Sequence, residues 1–206
     1  MKSAHLPSLA LVASAAMLFQ SAVFAVEHHD PGAIELHTGL ETGQSLPVLE
    51  IQAGGEIHVS DNNIIKRPWS SKCFDGKGKV QVVQYVSANF GAARQNKPFT
   101  DSLIEKRFTS EQLSTTVIVN MADTMALAKG LVVKKVAKNK ARHQTIEFVI
   151  DDDGVGLQRW GMKNKSFAVI VLDANGRVLF AKDGPLSELE IESTIKLIES
   201  QMSQPA

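Results

Sequence analysis

Residues 167–180 consist of a long apolar run, a short polar segment and a second, mostly apolar run. Six consecutive apolar residues at 167–172, rich in β-branched types, are typical of a strand buried on both faces. Asp-Ala-Asn-Gly at 173–176 predicts a turn, because Asp bonds back to the backbone and Gly accepts a positive φ. Residues 177–180 are then expected to return as a neighbouring antiparallel strand.

The rest of the pattern predicts strands that alternate with helices. Ser187, followed by Glu190 three positions later, indicates a capped helix start. Strands are predicted at 79–86, 115–120 and 145–150, and helices at 98–108, 128–139 and 187–202. The helical residues expected to face the core are Phe99, Leu103, Ile104 and Phe108, then Leu131, Val132 and Val136, and finally Ile191, Ile195, Ile198 and Met202. This order predicts an α/β fold with a mixed sheet.

The segment before the first central strand predicts a β-hairpin. Residues 46–51 and 56–59 alternate apolar and polar positions, and Ala53-Gly54-Gly55 joins them. Residues 60–78 are expected to be irregular. With strand, turn, strand and helix at its C-terminal end, the chain is predicted to have a thioredoxin-like α/β fold. Its central mixed sheet would be flanked by helices and preceded by the N-terminal β-hairpin.

Residues 1–25 have the pattern of a secretory signal peptide. Lys2 precedes a mostly apolar run, and Val23-Phe24-Ala25 fits the −3 and −1 positions of a cleavage site. The alternative is an uncleaved membrane anchor. Cleavage after Ala25 would leave a flexible N-terminal arm at 26–43 and one domain at 44–202. We expect no transmembrane span after the signal peptide is removed.

The charge balance argues against a nucleic-acid partner. The chain of 206 residues carries 22 Lys and Arg against 22 Asp and Glu, whereas nucleic-acid-binding domains are strongly basic. Cys73 is the only cysteine, so the chain cannot form an internal disulfide. The fold must therefore depend on its hydrophobic core.

Four short segments carry the motifs of a known family. They are Gly-Lys-Val-Gln-Val at 78–82, Thr-Val-Ile-Val-Asn at 116–120, Ala-Val-Ile-Val-Leu-Asp-Ala-Asn-Gly at 168–176 and Ala-Lys-Asp-Gly at 181–184. They resemble the YtfJ family of small exported proteins of Gram-negative bacteria, over about residues 43–201. The resemblance implies a thioredoxin-like fold and a periplasmic location. That family has no established activity, so the resemblance implies no catalytic residues.

Thiol-disulfide chemistry is not expected. Thioredoxin-type enzymes need Cys-x-x-Cys where the first central strand meets the next helix, since the helix N-terminus activates the attacking thiol. Residues 87–93 contain no cysteine, and residues 165–167 contain no proline where such enzymes carry one in the cis form. Cys73 precedes the strand and is expected to be a structural thiol.

The same cleft supplies the candidates for an enzyme of another kind. Ser87, Asn89 and Ser166 lie where this fold usually places its site. No triad spacing, phosphate loop or zinc pattern accompanies them. An enzyme of unrecognised type is therefore the alternative to a non-catalytic binding module.

One stretch is strongly biased toward positive charge. It contains Lys129, Lys134, Lys135, Lys138, Lys140 and Arg142, with His143, and no acidic residue occurs from 126 to 146. An anionic partner would fit, such as lipid headgroups, lipopolysaccharide or an acidic protein surface. The alternative is a solvated helix face whose cations oppose the helix dipole.

The N-terminal histidines suggest one metal site. After cleavage at Ala25 the chain would begin Val26-Glu27-His28, and four nitrogens there can hold Cu(II) or Ni(II) in a square plane. His29 and His37 would be weaker ligands, and the alternative is a chance histidine in a flexible arm. No other cofactor is expected. The three Asp at 151–153 are contiguous, which predicts a turn rather than the spaced ligands of a calcium loop.

The function best supported by the sequence is therefore a redox-inactive, non-catalytic module. It would bind a periplasmic protein or an anionic envelope component.

Overall fold

The computed structural model describes residues 38–61, 63–89, 91–163 and 165–203. Within these ranges the strands are β1 (Glu50–Ser60), β2 (Asn63–Ser70), β3 (Val80–Ser87), β4 (Leu113–Asn120), β5 (Glu147–Asp151), β6 (Phe167–Leu172) and β7 (Val178–Asp183). The helices are α1 (Ala92–Gln95), α2 (Lys97–Lys106), α3 (Ala126–Arg142), α4 (Val155–Arg159) and α5 (Glu188–Met202), and a 3₁₀ turn spans Ser71–Phe74.

The described strands form one mixed sheet, which confirms the predicted architecture. Their order is β2-β1-β5-β4-β3-β6-β7. The β3–β4 and β4–β5 pairs are parallel, and the remaining pairs are antiparallel. All residues of β3 and β6 are buried, because both faces of the central strands are covered. This explains why β6 is a continuous apolar run rather than an alternating one.

The sheet separates two hydrophobic cores. Successive residues of a strand point to opposite faces, so Val169 and Val171 of β6 enter one core while Ala168 and Ile170 enter the other. The first core includes Phe99 and Leu103 of α2, Val136 and Ala137 of α3, and Ile195 and Ile198 of α5. The second includes Leu40, Leu49, Trp69, Phe74 and Trp160. Helices α2, α3 and α5 therefore cover one face, and the N-terminal segments together with α4 cover the other.

Two residues predicted to face the core do not. Ile104 of α2 is 59% exposed and Leu131 of α3 is 70% exposed. Leu131 precedes the buried Val136 by five positions, which places it about 140° away around the helix. Apolar residues surround the first half of α3, so periodicity alone did not identify the buried side. Phe99, Leu103, Val136, Ile195 and Ile198 are buried as predicted, and Phe108, Val132, Ile191 and Met202 are partly buried against the same core.

The N-terminal hairpin has different strands from those predicted. Residues 46–51 and 56–59 do not pair with each other; residues 50–60 form the single strand β1, and its hairpin partner is β2. The predicted irregular segment at 60–78 therefore contains a strand. Its exposed side chains and Pro68 hide the usual strand pattern.

The glycines at 54 and 55 mark a close approach of backbones rather than a turn. Their φ angles are 103° and 84°, and the register between β1 and β2 shifts between Ile51 and Glu56. A Cβ on Gly54 would lie 2.2 Å from the carbonyl oxygen of Ile150, and one on Gly55 would lie 1.9 Å from that of Arg67. Only glycine fits where β1 passes between its two neighbours.

The end of the predicted arm packs on the domain. Of the arm at 26–43, the described part is 38–43, in which Leu40 is 2% exposed. The Gly43 N–H donates to the carbonyl oxygen of Val178 at 2.7 Å. The buried leucine and this hydrogen bond place residues 38–43 with the folded domain. The predicted signal peptide at 1–25 lies outside the described residues.

The C-terminal predictions are confirmed in detail. The N–H groups of Asn175 and Arg177 both donate to Asp173 Oδ1 at 2.8 Å, and Gly176 has a φ of 80°. Ser187 and Glu190 form a reciprocal capping box at the start of α5. None of the helices in the described ranges combines the length and apolarity needed to cross a bilayer.

Candidate functional site

Three polar residues end the three parallel strands at one edge of the sheet. Ser87 ends β3, Asn120 ends β4 and Asp151 ends β5, and they are in register as neighbours. All three are buried. Ligands of open α/β sheets usually bind outside the carboxyl ends of parallel strands, so this edge is the first place to look for chemistry.

The structure brings the predicted cleft residues Ser87, Asn89 and Ser166 together. The Ser87 N–H donates to the Ser166 carbonyl oxygen at 2.9 Å. Asn89 Nδ2 donates to the Ser87 hydroxyl oxygen at 3.1 Å, and Asn89 Oδ1 accepts the Ala92 N–H at 2.7 Å. An amide cannot take a proton from the Ser87 hydroxyl, so this contact does not activate it as a nucleophile. The hydrogen bonds hold the start of α1 against the strand edge.

Asn96 is a residue of this region that sequence reasoning missed. It is 1% exposed, and its Nδ2 donates to the carbonyl oxygens of Phe167 and Gly184, each at 2.9 Å. Its Oδ1 accepts the Leu186 N–H at 2.9 Å. Asn96 therefore ties the start of α2 to β6 and to the loop after β7. Its position between two short helices gave no sequence signal.

Asp151 was predicted as part of a turn, and its carboxylate organises that turn. Its Oδ2 accepts the Tyr85 hydroxyl at 2.8 Å and the Gly156 N–H at 2.9 Å, and its Oδ1 accepts the Val155 N–H at 3.0 Å. Burial and the Asp151 charge raise the pKa of Tyr85 well above its usual range, so the hydroxyl remains a donor. The buried carboxylate thus accepts three hydrogen bonds, two of which hold the start of α4.

Asp183, which lies in one of the family motifs, is also buried at this end. It is 4% exposed, and its carboxylate accepts the Lys163 N–H. Asp183 pairs with Ala168 across the β6–β7 ladder. Its role in the structure is to hold the segment that leads into β6.

Cys73 lies in the 3₁₀ turn and not at the strand edge. Burial first, and then the carboxylate of Glu147, raise the pKa of its thiol to about 11. The nucleophilic form of cysteine is the thiolate, so this thiol is a poor nucleophile at neutral pH. The contrast with the low pKa of catalytic cysteines agrees with the expected structural role.

Two of the six cationic candidates on α3 form hydrogen bonds with other parts of the domain. Lys129 Nζ donates to the carbonyl oxygen of Asp152 at 3.2 Å and approaches its Oδ1 at 3.5 Å. Lys140 Nζ donates to the carbonyl oxygens of Gln144 at 3.0 Å and Ile146 at 2.9 Å. Both ammonium groups hold α3 to adjoining loops. They are therefore less available to a partner than the sequence predicts.

The other four candidates share the outward face of α3. Lys134, Lys135, Lys138 and Arg142 are all exposed. Two leucines lie on the same face, with Leu127 97% exposed and Leu131 70% exposed. We call these six side chains the outward face of α3. It combines apolar side chains in the first half of the helix with cations in the second half, a combination that sequence reasoning missed.

No group of three or more potential metal ligands occurs among the described residues. The predicted Cu(II) or Ni(II) ligand His28, with His29 and His37, lies outside the ranges the structure describes. At 151–153 the carboxylates do not converge as a calcium loop requires, because Asp151 faces Tyr85 while Asp152 meets Lys66 and Lys129.

Comparison with known families identifies the family of this chain. Residues 40–201 match the family model described as a bacterial protein of unknown function (YtfJ_HI0045). The chain belongs to this family. An uncharacterized protein of Haemophilus influenzae is 34% identical over 77% of this chain and 85% of its own length. The uncharacterized protein YtfJ of Escherichia coli is 30% identical over the same shares of the two chains.

Comparison with solved structures establishes the fold. A thiol-disulfide isomerase from Corynebacterium glutamicum superposes with a TM-score of 0.52 at 14% identity, covering 78% of this chain and 98% of its own. A thioredoxin-like superfamily protein gives a TM-score of 0.51 at 12% identity, covering 79% and 98%. The fold is therefore thioredoxin-like, as predicted. At such low identity the likeness extends to the fold alone.

Proposed function

We propose that this YtfJ-family protein is an exported, redox-inactive binding module that meets an anionic partner through the outward face of α3. The observation that carries the proposal is the composition of that face. Lys134, Lys135, Lys138 and Arg142 are exposed on it, and α3 contains no acidic residue. All the charged side chains of this helix are therefore cationic, and they concentrate positive charge on one element of a chain whose total charge is balanced.

Redox inactivity is supported by what occupies the usual positions of thiol chemistry. Ser87 and Ser166 are hydrogen-bonded where the fold's enzymes have cysteine and proline. Cys73, the only thiol, lies in the 3₁₀ turn, and its pKa is raised to about 11. A thiol that is protonated at neutral pH and has no second cysteine can neither attack a disulfide efficiently nor resolve a mixed one.

Export is supported by the pattern at residues 1–25, which has a basic start, an apolar run and a small residue before the cleavage point. In the periplasm the available partners of a cationic surface include anionic lipids and acidic proteins. The enzyme alternative has less support, because the side chains of Asn89 and Asn96 in this region form hydrogen bonds within the protein itself. Asn89 joins Ser87 to α1, and Asn96 spans β6 and the loop after β7.

The test measures binding to a soluble polyanion, heparin, as a function of salt. We expect the exported protein to be retained at low salt and to elute as the ionic strength rises, because exposed charges are screened. The variant Lys134→Glu/Lys135→Glu/Lys138→Glu should lose retention. The matched control Lys77→Glu/Arg94→Glu/Lys163→Glu makes the same change in net charge at exposed positions outside α3 and should keep most of it. Equal loss in both variants would contradict binding through α3.

A further inference from the structure

We infer that the anionic partner of α3 is the surface of an anionic lipid bilayer, an inference that rests on the proposed function. The additional observation is the exposure of two large apolar side chains on the cationic face. Leu127 is 97% exposed and Leu131 is 70% exposed. Met125, at the N-cap of the same helix, is 78% exposed. A purely acidic partner would engage the cations and leave these apolar groups in water.

The six side chains of the outward face form one continuous stripe. Counting from Leu127, they lie four, seven, eight, eleven and fifteen positions along α3. At 3.6 residues per turn, these spacings place all six within an arc of about 100°. The 17-residue helix is about 25 Å long. A flat surface can therefore contact the whole stripe at once.

The shape of the stripe favours a bilayer over a protein. A side chain that is 97% exposed, as Leu127 is, lies in no groove, so the partner must supply the apolar surroundings. A bilayer interface does so without a shape-matched pocket, because apolar side chains enter the acyl boundary while Lys and Arg reach the headgroups along their flexible stems. Anionic headgroups attract such cations within a Debye length.

The inner side of α3 keeps the helix in place while the outer side docks. Val136 and Ala137 are buried in the first core, and Lys129 and Lys140 bond to carbonyl oxygens of adjoining loops. The stripe is thus preorganised on a folded domain and needs no coupled folding. Preorganised surfaces lose less conformational entropy on binding.

The test is co-sedimentation of the exported protein with vesicles of zwitterionic phospholipid, with and without anionic phospholipid. Four cations at an anionic surface should raise partitioning by at least about 100-fold over the zwitterionic vesicles. Leu127→Ser/Leu131→Ser should weaken binding to the anionic vesicles by about tenfold or more. Its matched control is Ile104→Ser/Leu189→Ser, which removes two exposed apolar side chains, 59% and 79% exposed, from α2 and α5. That control should bind like the parent protein.

The outcomes separate this inference from the proposed function. Vesicle binding that depends on the three lysines and on both leucines supports it. Lysine-dependent retention on heparin without vesicle binding would overturn the bilayer inference and favour an acidic macromolecule, leaving the proposed function in place. Vesicle binding that the α3 variants do not change would also overturn it. If the parent protein binds neither heparin nor the anionic vesicles, both proposals are contradicted.

Discussion

Ser87 and Ser166 are joined by a 2.9 Å hydrogen bond between the Ser87 N–H and the Ser166 carbonyl oxygen. The bond links the end of β3 to the segment before β6, which are the two places where the sequence was expected to carry a cysteine pair and a cis-proline if the protein were a thioredoxin-type enzyme. The backbone arrangement of the fold is kept, while the side chains there are neutral hydroxyls. The likeness to a thiol-disulfide isomerase is therefore a likeness of fold, which does not by itself assign an activity.

Asn96 is expected to be the most important polar side chain for stability at this end of the sheet. Replacing it by alanine removes three hydrogen bonds to backbone groups and leaves the buried Leu186 N–H without its acceptor, while the Phe167 carbonyl oxygen keeps the Gly184 N–H. We expect Asn96→Ala to lower the free energy of unfolding by about 2–4 kcal/mol, measured by urea denaturation. Asn175→Ala, at an exposed turn position, should change it by less than about 0.5 kcal/mol. Equal effects of the two changes would contradict the role assigned to Asn96.

Tyr85 offers a direct spectroscopic test, because it is the only tyrosine in the chain. Burial and the neighbouring Asp151 carboxylate raise its pKa above the ordinary value of 10. A raised pKa in the folded state means that stability is intact below pH 10 and is lost as the pH rises further. We expect tyrosinate absorbance to appear only together with unfolding, followed by circular dichroism. Ionisation near pH 10 in a folded protein would contradict the buried Tyr85–Asp151 bond.

Glu190 should make the capping of α5 dependent on pH. Partial burial alone would raise its pKa, but hydrogen bonds from Lys182 and Ser187 outweigh this effect and lower it below 4.5. The stabilisation is therefore present above pH 4.5 and is lost as the pH falls through the lower, folded-state value. We expect Glu190→Ala to cost about 1 kcal/mol at neutral pH and progressively less in acid, by urea denaturation. Glu188→Ala, in the same turn but outside the capping box, should cost less at neutral pH.

Cys73 should react slowly with alkylating reagents. A pKa of about 11 instead of 9.0 lowers the thiolate fraction at neutral pH by about 100-fold. We expect iodoacetamide to modify Cys73 correspondingly more slowly than a free cysteine peptide, as followed by intact mass. The protein should not accelerate the reduction of insulin by dithiothreitol, and Cys73→Ser should fold normally. Turnover that disappears in Cys73→Ser would contradict redox inactivity.

The parts of the fold that sequence predicts well are those fixed by local chemistry. The Asp173–Gly176 turn and the Ser187–Glu190 capping box depend on residues within a few positions of each other. The hairpin was placed wrongly because Gly54 and Gly55 have the same sequence signature in a turn and in a bulge. Only the strands on either side of β1 distinguish the two.

The proximity of the cleft candidates could be predicted from the sequence, and the contacts around them could not. The fold class was sufficient to bring Ser87, Asn89 and Ser166 to one place. The three bonds of Asn96 run to residues that are remote in sequence, so no local pattern indicates them. The exposure of Leu131 depends on which side of α3 meets the sheet, which is a tertiary property.

The central proposal is that this protein works through the outward face of α3 and not through the cleft. The most direct test inserts a photo-crosslinking amino acid at Leu131 in one variant and at Asn89, an exposed residue of the cleft, in another. Both variants are irradiated in intact cells, and the purified chains are examined by intact mass. We expect a crosslinked product from the Leu131 variant and only background from the Asn89 variant. A product from the Asn89 variant alone would contradict the proposal.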